Sequence, residues 1–307
     1  MVKTAFVFPG QGSQSVGMGK DLWDAYPESR KIFERADAAL GFALSKVCFE
    51  GPEEELKKTI LTQPALLATS IAALAGLSGK VDFQAVAGHS LGAYTALTAA
   101  GVLSLEDAVR LVRRRGELME EAGRGKGTMA VILMLDEAKV ARACQEASSL
   151  GVVEPANVNC PGQIVISGEK PAVAAACEKA KALGAKRAME LSVSGPFHSS
   201  LMRDAVKGLR EALDTVSFSA PQKTYYSDID AAEMKDVAQI KESLVRQLTA
   251  PVQWIKTIEK MTQDGCSTFV EVGAGKVLAG LIGKISKESK TLNAGTVESI
   301  KALSEAA

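Results

Sequence analysis

The pentapeptide Gly88-His89-Ser90-Leu91-Gly92 constrains this chain more than any other stretch. It follows an apolar run, Phe83 to Ala87, and precedes an Ala-rich segment, Ala93 to Ala100, so it reads as GxSxG at a strand-to-helix turn. Such a turn is tight enough to demand flanking glycines. It lifts the serine hydroxyl above a sheet at a helix N-terminus, where backbone N–H groups favour developing negative charge. A Gly-rich βα turn with a capping serine is the plainer alternative. Either reading needs a strand feeding a helix, and hence an α/β fold with a mostly parallel sheet.

The rest of the chain fits that frame. Ala5 to Phe8 reads as a strand, residues 18 to 78 as helical stretches, and Ser104 with Asp107 as a capping box for a helix reaching about Ala122. Gly123 to Gly127 breaks that helix. Beyond this break the elements come in a different order: strand 128–135, helix 136–149, strands 152–158 and 163–167, helix 170–183, strand 186–191. This is βαββαβ, the ferredoxin-like split motif. Strand and helix then alternate again, with a strand at 267–272 and a helix at 276–286. The expected fold class is therefore α/β: a hydrolase-like parallel-sheet large domain, residues 1–126 and 196–307, carrying an inserted ferredoxin-like small domain, residues 127–195. The small, polar tail after Thr296 is expected to fray.

Composition narrows the partners. Lys plus Arg and Asp plus Glu both number 36 among 307 residues, so net charge points to neither nucleic acid nor membrane. Five cysteines lie far apart with no CxxC pair, which suggests neither a zinc site nor a disulfide framework but a reducing, cytoplasmic setting. No signal peptide is read at the N-terminus. The weakly polar run Pro64 to Gly79 is too short and too rich in Thr, Ser and Gly to span a bilayer, so the protein is expected to be soluble. Gly273-Ala-Gly275 lacks the third glycine of a dinucleotide site, because Leu278 stands there, and Gly283-Lys284 is followed by Ile285, so it is no P-loop. No cofactor or metal is implied.

A serine hydroxyl needs a base, and histidine is the usual one. The chain has two. His89 adjoins Ser90 on the turn, so its side chain diverges from the serine's. That leaves His198, in the Gly/Pro-kinked loop Ser194-Gly-Pro-Phe-His-Ser-Ser200. Asp136, Glu154, Glu169 and Glu190 are all candidates for a third member, and nothing in the sequence chooses among them. Within Arg113-Arg114-Arg115 successive side chains turn by about 100°, so at most one or two can face a pocket.

Taken together, the motifs resemble the malonyl-CoA:acyl carrier protein transacylases of dissociated fatty acid synthesis and, more distantly, polyketide synthase acyltransferase domains. The resemblance runs in order through Phe8 to Gln14, Gly88 to Gly92, Arg115-Gly116, Ala156 to Gln163, Gly195 to Ser199, Gln247 to Trp254 and Glu271 to Leu278. It implies that the backbone N–H groups of Gln11 and Leu91 form an oxyanion hole, that the main-chain carbonyl of Gln247 orients His198, and that Arg115 is the arginine that reads the malonyl carboxylate. Two charge-assisted hydrogen bonds from a guanidinium fork give ~3–6 kcal/mol, about two to four decades of preference over acetyl. Many relatives have Glu where this chain has Ala93 and Ser where it has Cys160, and Cys160 is expected to confer sensitivity to thiol reagents.

The implied function is a ping-pong transfer of malonyl from malonyl-CoA through Ser90 to the phosphopantetheine thiol of acyl carrier protein. Transfer to a polyketide carrier, a serine thioesterase or esterase, and a non-catalytic carrier-binding subunit are the rivals. An acidic carrier protein calls for a basic rim, from Lys186-Arg187 or from Lys276, Lys284, Lys287 and Lys290. A monomer suffices for this chemistry.

Overall fold

The apolar run 5–8 is buried along its whole length within β1 (Lys3–Phe8), which lies inside a six-stranded sheet. The computed structural model describes residues 3–77 and 79–305. The remaining strands are β2 (Ala85–Gly88), β3 (Thr128–Leu133), β4 (Val153–Cys160), β5 (Gln163–Gly168), β6 (Arg187–Glu190), β7 (Thr224–Ser227), β8 (Ala232–Met234), β9 (Cys266–Val272) and β10 (Lys290–Ala294). The larger sheet has the order β10-β9-β1-β2-β7-β8. Its first five strands are parallel and β8 pairs antiparallel with β7 at the edge. The fold is thus mixed α/β with a largely parallel sheet. Because β1, β2 and β7 are adjacent and run the same way, the segments leaving their C-terminal ends emerge side by side, which is where open α/β sheets place ligands.

The second sheet is antiparallel, four-stranded, in the order β4-β5-β3-β6. Alternation along β3 divides its faces. Ala130 and Ile132 pack with helices Glu137–Ala147 and Lys170–Ala182, whereas Met129 and Val131 join the core of the larger unit. The passages of the chain between the two units lie against each other: a Cβ on Gly123 would sit 3.2 Å from the Cα of Gly195. A third tie is the segment after Gln247, where Val158 N–H donates to Val252 O (2.8 Å) and Val252 N–H to Ala156 O (2.9 Å). This short strap runs beside β4, and its next residue, Gln253, donates its N–H to the main-chain oxygen of Asp228.

Two expectations from the sequence need correction. The tail is ordered: Val297–Glu305 is a helix that buries Ile300 and Leu303. Its first amide donates to Asp21, and Ser299 with Thr296 supplies further caps. Its two buried residues stand at i and i+3 and dock it on the core with Val297 packed beside them, which the polar residues elsewhere in the segment obscure; residues 306–307 lie outside the described residues. The apolar segment begins earlier than Pro64, because the helix runs Thr59–Leu77 and is long and apolar enough, by length and composition, to cross a membrane. It packs within the fold, with 78% of its apolar window buried. Of the run read as Pro64 to Gly79, Ser78 lies outside the described residues.

The helix Leu105–Gly123 starts as its capping box requires, with Ser104 Oγ accepting from Asp107 N–H at 3.1 Å. Loss of that cap in Ser104→Ala should cost about 1 kcal/mol and lower the melting temperature by a few degrees. Calorimetry of the two proteins at equal concentration checks this; an unchanged transition would show the cap to be idle.

Candidate active site

The turn after β2 is closed by contact rather than by glycine's backbone freedom. Neither Gly88 nor Gly92 has a positive φ; that conformation falls on Ser90, at 53°. A Cβ on Gly88 would overlap the Gly92 carbonyl, and one on Gly92 would overlap the carbonyl of Phe8 at the end of β1. Gly10 faces the turn from the other side, with room for a Cβ only 2.6 Å from His89 O. The serine's strained backbone, worth of order 1–3 kcal/mol, therefore persists because the surrounding chain leaves it no alternative.

His198 shares this strained backbone region, with φ 58°. Its loop is fastened by Ser199 Oγ donating to Pro196 O at 2.6 Å and by Ser200 N–H donating to Glu154 Oε2 at 2.8 Å. The imidazole lies between Ser90 Oγ, 2.8 Å from Nε2, and Gln247 O, 2.8 Å from Nδ1. A carbonyl oxygen can only accept, so Nδ1 carries the proton and Nε2 is free to accept from the serine hydroxyl. Burial pushes the imidazole pKa down to about 3, with the Arg115 charge acting in the same direction. The ring is neutral throughout the physiological range, and the pair can pass a proton from Ser90 to His198.

His89 turns away from this pair. Its Nε2 meets Asn159 Oδ1 at 2.9 Å and its ring edge packs on Trp254, with centroids 5.5 Å apart. None of the four acids left open by the sequence reaches His198. Asp136 caps a helix, Glu190 accepts from Thr128, Glu154 fastens the histidine loop through Ser200, and Glu169 stands beside Gly151.

The three consecutive arginines separate as helical geometry requires. Arg113 and Arg114 pair with Glu117 at the surface, at 3.4 and 3.1 Å, whereas Arg115 is buried. Gly116 allows this by letting its helix approach the backbone of Thr59 and Ile60. Arg115 Nη2 donates to Ser90 Oγ and to Gln247 Oε1, both at 3.1 Å, while Nε has no hydrogen-bond partner among the described residues. Gln11 and Leu91 line the same cavity, and among the described residues their backbone N–H groups donate to no protein acceptor. Gln11 is held by its side chain, whose Nε2 donates to Thr59 Oγ1 at 3.3 Å.

These groups open into a cavity of about 330 Å³ between the two sheets. Its far wall is the β3–β5 face, through Met129, Val131, Gln163 and Val165, with Leu191 and Val193 from the return segment. The sequence reading missed two groups here. Gln63, buried at a helical position, lines the cavity with its Oε1 unpartnered among the described residues. Asp228 lies just past the end of β7 and accepts from Ser90 N–H at 2.7 Å. The run Tyr225-Tyr-Ser-Asp228 carried a usable signal, a short strand ending in a carboxylate, but its place beside β2 is a matter of topology. Cys160 also departs from expectation. Its thiol is fully buried, and burial raises its pKa, so it offers neither access nor thiolate to a reagent.

Gly92→Ala should yield insoluble or inactive protein, because the added methyl has only backbone to displace; normal folding with full serine reactivity would contradict the contact geometry. For His198 the unfolded imidazole binds a proton below about pH 6.5 and the folded one does not until about pH 3, so its contribution is complete above about 6.5 and is lost as pH falls. The melting temperature of His198→Gln should therefore gain on that of the parent between pH 7 and 4.5. A constant difference across that range would refute a neutral, buried histidine.

The chain is similar to known proteins along nearly its whole length. A family described as the acyl transferase domain matches residues 5–300. The chain is 46% identical over 304 residues to the malonyl CoA-acyl carrier protein transacylase of Bacillus subtilis (strain 168), covering 98% of this chain and 96% of that protein. It is 46% identical to the protein of the same name in Escherichia coli (strain K12), with 93% of each chain covered. Among solved structures, the acyl-carrier-protein S-malonyltransferase of Burkholderia pseudomallei 1710b superposes with a TM-score of 0.96 at 43% identity, covering 99% of both chains. A malonyl-transacylase solved in complex with its type II PKS acyl-carrier protein superposes with a TM-score of 0.96 at 42% identity, covering 99% of this chain and 100% of that one.

Proposed function

The chain belongs to the acyl transferase domain family, and from that premise we propose that its serine cavity carries malonyl groups from malonyl-CoA to acyl carrier protein, for fatty acid synthesis. The observation that carries the reading is the buried Arg115 guanidinium bonded to the hydroxyl of Ser90. An arginine placed there serves a substrate with a free carboxylate at a fixed distance from its reacting carbonyl, as malonyl thioesters have.

Ser90 is the nucleophile and His198 its base. As Ser90 Oγ attacks the thioester carbonyl, its proton passes to Nε2, and the oxyanion that forms lies toward the Gln11 and Leu91 amides. The C–S bond then breaks, the departing coenzyme A sulfur takes the proton from Nε2, and malonyl remains on the serine. In the second half the carrier's pantetheine thiol gives its proton to Nε2 and attacks the same carbonyl, and Ser90 leaves with the proton restored. Arg115 adds order to the first half. Its bond to Ser90 Oγ occupies a lone pair of the nucleophile, and a carboxylate that draws the guanidinium away releases it. The same carboxylate offsets the charge that disfavours an imidazolium at His198.

We further read residues 127–195 as an inserted ferredoxin-like domain. The strand order β4-β5-β3-β6 and the adjacent chain passages at Gly123 and Gly195 support this. Within the two basic groups, Arg187 lies opposite Leu133 on the strand that forms the cavity wall and Lys284 lies near Cys160, next to the cavity-lining Asn159, whereas Lys276 lines a separate surface hollow near the C-terminal helix.

Intact mass measured after brief exposure to malonyl-CoA or acetyl-CoA tests the reading. The parent should gain one malonyl, Ser90→Ala none, and Arg115→Ala should lose malonyl loading by about two to four decades with acetyl loading retained. No adduct on the parent, together with rapid release of free coenzyme A and no thiol acceptor present, would instead favour a thioesterase.

A further inference from the structure

Asp228 has no part in the proton transfers above, yet it is a buried carboxylate with converging donors. Its Oδ2 accepts from Ser90 N–H at 2.7 Å, and Gln247 Nε2 lies 2.9 and 3.0 Å from its two oxygens. The same Nε2 donates to Ser90 O at 3.0 Å, while Gln247 Oε1 accepts from Arg115 Nη2 at 3.1 Å. An ionised carboxylate and a carbonyl only accept, and a guanidinium only donates. A primary amide set among those three groups has one orientation that satisfies all of them.

We propose that Asp228 is a positioning residue for malonyl transfer: it fixes the direction of the Gln247 amide and thereby the aim of Arg115 at the substrate carboxylate. The inference rests on the transfer reaction proposed above. Burial raises the carboxyl pKa against the opposing pull of the bonds from Gln247 and Ser90 and of the Arg115 charge, to about 6 in all, so the carboxylate form predominates at neutral pH. In Asp228→Asn the oxygen facing Ser90 can stay, but an NH₂ group replaces the other and meets the Gln247 donor. Turning the Gln247 amide relieves that conflict but gives up its bond to Ser90 O and sets its own NH₂ against Arg115, so neither orientation now satisfies every neighbour. The guanidinium then loses both its acceptor and the buried anion nearest to it.

Single-turnover acylation of the whole protein by malonyl-CoA and by acetyl-CoA tests this on the parent, Asp228→Asn, Gln247→Met and the double variant. Loading of the parent by malonyl-CoA tests the transfer reading itself, and the variants test Asp228 alone. Asp228→Asn should lower the malonyl-to-acetyl rate ratio by about tenfold, the worth of one charge-assisted hydrogen bond, and should lower it no further in the Gln247→Met background. A merely structural residue would slow both thioesters alike or lower the melting temperature with the ratio intact, and either result overturns the proposal. So does an additive fall in the double variant, since Asp228 would then not act through Gln247. If Asp228→Asn does not fold, Asp228→Ser, which keeps an acceptor for the Ser90 amide, takes its place: a lowered ratio supports the proposal and an intact one overturns it.

Discussion

The site depends on how closely the turn after β2 presses against the end of β1. Gly88 and Gly92 touch across the turn, and Gly92 lies on the Phe8 carbonyl, so the serine between them has no relaxed conformation to fall into. That contact also brings the Gly10-Gln11 loop over the turn, because both strands end at the same level: Phe8 pairs with Gly88. One steric closure thus sets Ser90, the Leu91 amide and the Gln11 amide relative to each other. The same register lets β7, on the other side of β2, deliver Asp228 to the serine's own N–H. A methyl group anywhere in this closure would act on several functional groups at once.

Around the turn the protein buries one cation, one anion and two neutral imidazoles, an arrangement that is expensive unless each is hydrogen-bonded. Arg115 and Asp228 do not pair directly; the Gln247 amide stands between them. A direct bidentate salt bridge would occupy the guanidinium fork. The interposed amide anchors one nitrogen and leaves Nε without a partner among the described residues, so the cation keeps donors for something that enters the cavity. Gln247 also presents its main-chain oxygen to His198, and the strap that follows it pairs with β4. The Ser90–His198 pair, the arginine and the second sheet therefore meet at one residue.

Much of this was legible in the sequence for identifiable reasons. The GxSxG turn, the capping box at Ser104 and the βαββαβ order are local patterns whose spacing carries their geometry, and observed element boundaries lie within a few residues of those read from it. With only two histidines in the chain and one adjoining the serine, elimination could reach His198. What was not legible depends on contacts distant in sequence. Asp228 is 138 residues from Ser90, and its strand is too short to announce itself as a neighbour of β2. The C-terminal helix was misjudged because two buried side chains among nine residues outweigh a polar composition. Cys160 was misjudged because reactivity follows burial, which a one-residue departure from a motif does not disclose.

The neutral His198 raises a question about charge. In a Ser-His-Asp arrangement a carboxylate stabilises the imidazolium that forms during attack. Here the partner of Nδ1 is a carbonyl oxygen, and the charge that acts most strongly on the ring is the cation of Arg115. In the free site that combination makes protonation of His198 costly, which under the proposed mechanism would disfavour attack on a thioester that brings no carboxylate. A substrate that carries its own carboxylate to Arg115 supplies the missing negative charge at the moment the proton must move. On this reading the arginine does more than hold the substrate: selection and activation are one electrostatic event. An acyl group without the charge forgoes the binding contact and also meets a histidine still opposed by an uncompensated guanidinium. That coupling is available only because Asp228 is kept one amide away from Arg115, close enough to keep the cation in a dry site and too far to neutralise it.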